Sequence, residues 1–284
     1  MVCHMWQLMS GQLRSMAPTL MNPITSSMDG EGHGGRPIDP YISNGFDFFA
    51  FAVLNCSAFN WESHKYGWWK NLEKKVAYLA RCGLTSAWLP PATHSFSPEG
   101  YLPQNLYSLD SYYGSHLELK ALLQKLNQHK VRAMADIVTN YRVGTTRGHG
   151  GAYNQYDRIP LSWNEHSVTS CCGELSSLLI SMYRSTGDNF HGVPNIDHTQ
   201  AFVWKDIIGW LKWLLKSIGF QDFRFDFAKG YAPKFVKEYV EESKPMFFVG
   251  EYWDTCNYSP DYCFDYNQGQ TISASMTTVN IGRS

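Results

Sequence analysis

The sequence predicts an α/β protein on a (β/α)8-barrel plan, incomplete at about five βα units, with a small domain inserted after the third strand. Three observations carry this expectation. Short apolar, aromatic or β-branched runs alternate with stretches at helical period, and βα units in sequence order imply a parallel sheet. No glycine-rich phosphate loop follows the first run, which removes the usual sign of an open nucleotide-binding sheet. A full barrel takes about 250 residues and eight strands, yet five strand-like runs fit before the chain turns polar in TISASMTTVNIGRS.

Residues 1–45 (TSSMDGEGHGGRPIDP and the residues before it) hold no sustained period and read as a flexible leader, weakly as a targeting segment. Barrel strands one to three fall within 46–140. FDFFAFAVLNC (46–56) is the first strand, and WWKNLEKKVAYLARCG (68–83) is a helix with Leu72, Val76, Leu79 and Ala80 on one face. LTSAWLPP (84–91) is the second strand. It is followed by the loop THSFSPEGYLPQNLY and a helix around Leu119, Leu122, Leu123 and Leu126, and VRAMADIV (131–138) is the third strand. Residues 141–197 form a Gly-, Ser- and Asn-rich excursion too long for an ordinary connection, hence the inserted domain. Strands four and five fall within 198–270. The helix DIIGWLKWLLKSIG (206–219) places Ile207, Trp210, Leu211, Leu214 and Ile218 on one face, and FRFDF (223–227) and MFFVGEYW (246–253) are the strands. Residues 271–284 read as an irregular tail.

Among 284 residues, 24 Lys and Arg nearly balance 25 Asp and Glu, so neither nucleic acid nor an anionic membrane is indicated, and a neutral ligand fits better. Aromatics reach 15%. Flat rings with a polar edge suit sugars, and an aromatic-rich core explains the same composition equally well. Seven cysteines with no C-x-x-C pair argue for reduced thiols in an intracellular compartment. No run of about eighteen apolar residues and no secretory signal pattern occurs.

In parallel barrels the C-terminal strand ends carry the active site. The third strand ends in Asp136 and Asn140, the fourth in Arg224 and Asp226, and the fifth in Glu251, Trp253 and Asp254. Alternate strand residues share a face, so Arg224 and Asp226 can touch. A structural ion pair at the rim is the competing reading. Glu251 follows Phe247, Phe248, Val249 and Gly250, where desolvation would keep a glutamate protonated. One carboxylate held charged by an arginine and another held protonated by burial is the pairing that glycosidic cleavage requires.

Over residues 45–270 the segments FNWESHKYGWW, AWLPPATHSFSPEGYLPQNLYSLDSYYGS, ADIVTNYRVG, STGDNFHGVPNIDHTQ, FRFDFAKGY and VGEYWD occur in order. In these the chain resembles the plant α-amylases of glycoside hydrolase family 13, the plastid-type branch most closely. The resemblance implies a retaining endo-hydrolase of α-1,4 bonds, with starch or a maltooligosaccharide as partner and a chloroplast or cytoplasmic location. It implies Asp226 as nucleophile, Glu251 as general acid/base, Arg224 as the group holding the nucleophile ionised, and Tyr101 as a sugar-stacking ring. Lys229 and Trp253 are expected to join them as substrate contacts. Asn140 and the Gly230 carbonyl match calcium ligands; Asp188 is the candidate third, one residue before the family's acid, where Asn189 stands here. Tyr141 replaces a family histidine that hydrogen-bonds the substrate. The apolar SSLLISMY (176–183) is absent from the family pattern, and the third aspartate of an ENHD-like motif does not occur in the chain. These departures leave a catalytically inactive carbohydrate-binding protein, or a non-functional fragment, as the alternative.

Overall fold

The computed structural model describes residues 53–55, 67–169, 185–190 and 192–251. In chain order the elements are β1 (Val53–Asn55), α1 (Trp68–Arg81), β2 (Ser86–Trp88), β3 (His94–Ser95), β4 (Pro103–Asn105), α2 (His116–Gln128), β5 (Arg132–Ile137), α3 (Ala201–Trp213), β6 (Asp222–Phe225), α4 (Pro233–Ser243) and β7 (Phe247–Gly250). The leader, SSLLISMY and the tail lie outside the described residues.

The five expected apolar runs pair as one sheet in the order β1-β2-β5-β6-β7, every pair parallel. Parallel strands are covered on both faces, which is why they read as nearly continuous apolar runs. Among the described residues β1 and β7 each have one neighbour. Register decides where the chemistry falls: Asp136, Arg224 and Val249 stand abreast on β5, β6 and β7. The Asp226 N–H donates to Ile137 O (2.9 Å) and the Glu251 N–H to Phe225 O (2.8 Å), so the ladder continues one residue past each strand.

The helices form where their apolar spacing predicts. Helix α1 buries Trp69, Leu72 and Val76, and its Trp69 ring packs on Tyr113 at 5.3 Å between centroids. Leu79 and Ala80, expected on that face, are half-buried. Helix α2 buries Leu119, Leu122, Leu123 and Leu126 and starts at a capping box in which Ser115 and Glu118 satisfy each other's backbone N–H. Helix α3 starts five residues before the expected DIIGW segment and passes through a π-turn, Leu214–Ile218, into Gly219. Three elements go beyond the sequence reading. Helix α4 buries Phe235 and Tyr239 behind a proline in its first turn, and β3 pairs antiparallel with β4 inside the stretch read as a loop.

Beyond β5 the chain is held by a buried cation. Arg142, with none of its surface exposed, donates to Gln104 O (2.9 Å), Leu161 O (2.7 Å) and Pro160 O (3.0 Å). Its guanidinium lies against both the Tyr156 and Trp163 rings, which meet edge to face, at 4.4 and 4.7 Å from their centroids. Trp163 in turn donates to Asp206 of α3 at 2.8 Å. Burial lowers the Arg142 pKa to about 10, still charged at neutrality. Arg142→Ala leaves three carbonyls without this donor and opens a void against two rings. We expect a loss of about 3–5 kcal/mol in urea unfolding followed by tryptophan fluorescence.

Candidate active site

One guanidinium organises the rim of the sheet. Arg224 Nη1 donates to Asp136 Oδ1 and to Asp226 Oδ1, both at 2.7 Å, while Nη2 pairs with Glu251 Oε1 at 2.7 Å. Strands β5, β6 and β7 thereby each contribute an acid to one cation. Strand β2 adds Trp88, whose ring face lies 4.6 Å from the guanidinium and whose Nε1–H donates to Asp136 Oδ2 at 3.0 Å. Tyr101, expected as a sugar platform, donates its hydroxyl to the same oxygen at 2.8 Å. Asp136, Arg224 and Asp226 are buried, while Glu251 is half-buried and its side chain is 20% exposed.

Two further contacts complete the set. Phe227 stands at φ 44°, ψ 50°, a left-handed conformation that costs a bulky residue about 1–3 kcal/mol. That turn aims the Phe227 N–H at Glu251 Oε2, 3.3 Å away. Tyr141, in place of the family histidine, is buried and reaches Asp226 Oδ2 with its hydroxyl at 3.4 Å.

Three carboxylates around one cation leave an excess of negative charge. Burial pushes Asp226 up to about 8; Arg224 pulls it down, but Asp136 and Glu251 push it further up. Asp136 is also raised, by burial, against the pull of Arg224. Burial lowers Arg224, yet the three acids outweigh it and carry the guanidinium above its usual range. Arg224, expected to hold Asp226 ionised, is opposed there by burial and by the two neighbouring acids. Glu251 does not occupy the desolvated pocket expected for it, because its carboxylate meets Arg224 directly and keeps some exposure. Tyr141 and Tyr101 are both raised, by burial first and then by the neighbouring acids, so both stay neutral hydroxyl donors.

Of the expected calcium ligands, Asn140 lies against Gly230, whose carbonyl accepts from Ser185 Oγ at 3.4 Å. Asn140 Nδ2 donates to Asn195 Oδ1 at 3.1 Å, and a Cβ on Gly230 would run into Asn140 Oδ1. The Asp188 N–H donates to Lys229 O at 2.9 Å, and a Cβ on Gly187 would strike the Lys229 carbonyl. Amide and carbonyl oxygens suit a hard cation. The Asp188 carboxylate, however, pairs with Lys229 Nζ at 2.8 Å, so Lys229 faces that acid, and among the described residues no group of three or more His, Cys, Asp or Glu could hold a metal. Trp253 lies outside the described residues. The sequence reading noted Asp136 at its strand end without assigning it a part. It missed Trp88 entirely, although Trp88 stands opposite Met134, two residues before Asp136.

The family description "Alpha amylase, catalytic domain" matches residues 29–157. A relative from Arabidopsis thaliana, probable alpha-amylase 2, is 65% identical over 211 residues, covering 74% of this chain and 49% of that protein. The chain belongs to the α-amylase family. A second Arabidopsis relative, alpha-amylase 3, chloroplastic, matches at 42% over 84% of the chain, which spans 26% of it. The α-amylase homologue from the plastid thus covers more of the chain at lower identity. This chain spans about half the length of the first relative and about a quarter of the second. Among solved structures, an α-amylase from Malbranchea cinnamomea superposes with a TM-score of 0.57 at 17% identity, over 75% of this chain and 49% of its own. The Geobacillus thermoleovorans α-amylase, solved with acarbose, gives 0.52 at 18%, over 74% and 48%. These two show the fold, that of the α-amylase (β/α)8 barrel.

An acid whose native pKa lies above its unfolded one keeps its proton longer in the native state, so stability falls as pH rises between the two values. For Asp226 that window runs from the usual 3.8 to about 8. Urea midpoints at pH 5, 6, 7 and 8 are therefore expected to fall, and Asp226→Asn to flatten the slope, leaving the part that belongs to Asp136.

Proposed function

We propose that this chain is the part of an α-amylase that carries nucleophile and general acid, acting on internal α-1,4 bonds of starch and maltooligosaccharides with retention of configuration. The observation that supports it best is that Asp226 and Glu251 are bonded to different nitrogens of the one guanidinium of Arg224. Two acids so held suit the short separation, roughly 5–5.5 Å, of retaining enzymes.

Before attack Asp226 must carry the charge and Glu251 the proton. Asp226 then bonds to the anomeric carbon as the glycosidic C–O bond breaks, and Glu251 gives its proton to the departing oxygen. Water completes the cycle: Glu251 takes its proton, its oxygen replaces Asp226 at the anomeric carbon, and the acid pair is restored. Arg224 holds both carboxylates in register throughout, and Asp136, fixed by Trp88 and Tyr101, holds Arg224. The plastid or the cytoplasm is the setting we infer, supported by the relative named as chloroplastic. Among the described residues no helix is long and apolar enough to cross a membrane.

Calcium is part of the proposal. Asn140 Oδ1 and the Gly230 carbonyl would hold it, and Asp188 could join only by releasing Lys229. Bound there, the ion would tie the end of β5 to the turn after β6. Added calcium is expected to raise the melting temperature and a chelator to reverse the gain; an indifferent melting curve removes calcium from the proposal.

A carbohydrate-binding protein without catalysis is the second reading, favoured by the Tyr141 hydroxyl on Asp226. Release of reducing ends from soluble starch separates the two. Glu251→Gln should lower the rate by about 10²–10⁴-fold and Asp226→Asn should bring it to background. Equal release by all three proteins rules out catalysis, and saturable heat from a maltooligosaccharide in calorimetry would then favour binding alone.

A further inference from the structure

Nucleophilic attack needs one oxygen of Asp226 to face the sugar. Oδ1 is taken by Arg224 and Oδ2 receives the Tyr141 hydroxyl. Asp226 keeps 6% of its surface exposed and Tyr141 only 4%. The Tyr141 ring stacks on Phe190 at 4.5 Å, and Phe190 stands edge-on to Phe227 at 5.8 Å. Three rings, from the ends of β5 and β6 and from residues 185–190, therefore form a continuous wall against the nucleophile.

The parts of this wall differ in how firmly they are held. Tyr141 bridges Asn195 through its backbone, the Arg142 N–H donates to Pro194 O at 3.1 Å, and the Ile196 N–H donates to Asn140 O at 2.8 Å. The backbone of Tyr141 is thus pinned on both sides. Phe190 is 37% exposed and is held by the Asn195 amide, which accepts from its N–H at 2.9 Å and donates to its carbonyl at 2.8 Å. The Tyr141 contact on Asp226, at 3.4 Å, is at the long end for a hydroxyl hydrogen bond and correspondingly weak.

We propose that Tyr141, backed by Phe190, is a built-in cover over Asp226 that an α-glucoside must displace to reach the nucleophile. This inference rests on the glycosidase reading. The cover lowers the rate at which Asp226 meets any substrate, and the exposed Phe190 is the side from which it opens.

An α-configured cyclitol epoxide tests it on the full chain. The Asp226 carboxylate opens the epoxide, an ester C–O bond forms as the ring C–O bond breaks, and the freed oxygen takes a proton from Glu251; intact mass reads the adduct. Tyr141→Ala is expected to label about tenfold faster than the parent. Phe190→Ala should also be faster. Tyr141→Phe, which keeps the ring and drops the hydroxyl, should fall between the parent and Tyr141→Ala. Asp226→Asn should take no label. If Phe190→Ala and Tyr141→Phe melt as the parent does and label no faster, the cover is refuted while the glycosidase reading stands. If no protein is labelled at Asp226, the glycosidase reading falls and the cover with it.

Discussion

The rim of this sheet depends on one buried cation. Remove the guanidinium of Arg224 and three acids from three adjacent strands face one another in a largely buried place where water screens them poorly. The register of β5, β6 and β7 is what lets a single side chain reach all three, so pairing and chemistry are one constraint. A slip of β6 by one residue would turn Arg224 to the opposite face and strand the acids. Trp88 and Tyr101 reinforce the arrangement from outside by saturating the second oxygen of Asp136, which leaves that acid no alternative orientation.

How much of this was legible in the sequence follows from the length scale of each signal. Parallel strands read as runs of apolar residues, so β1, β2, β5, β6 and β7 could be located directly. The pair β3 and β4 could not, since His94–Ser95 and Pro103–Asn105 are two or three mostly polar residues whose pairing is a property of the folded loop. Helix α4 hid because Phe235 and Tyr239 are its main buried apolar residues, set among lysines and glutamates. At the site, Arg224 and Asp226 were readable together because they lie two residues apart on one strand. The meeting of Arg224 with Asp136 and Glu251 is set by cross-strand register, which no local pattern encodes. Phe190 carried no signal beyond an aromatic ring in the polar segment STGDNFHG.

The protonation of the cluster lies furthest from sequence. A neighbouring arginine argues for an ionised aspartate, and in isolation that argument is sound. The fold adds burial and two more acids, and the balance reverses at Asp226. A charge pair read from two residues gives the sign of one interaction; the sign of the sum needs every group around it.

Gly187 lets residues 185–190 and the turn after β6 lie flush, backbone against backbone. The absence of a methyl group acts here as a shim of zero thickness. It sets the height at which Phe190 meets Tyr141, so the closure of the nucleophile is gauged by main-chain contact well away from any acid. A single added carbon at Gly187 would wedge the segment outward and loosen the aromatic wall with every acid of the site unaltered.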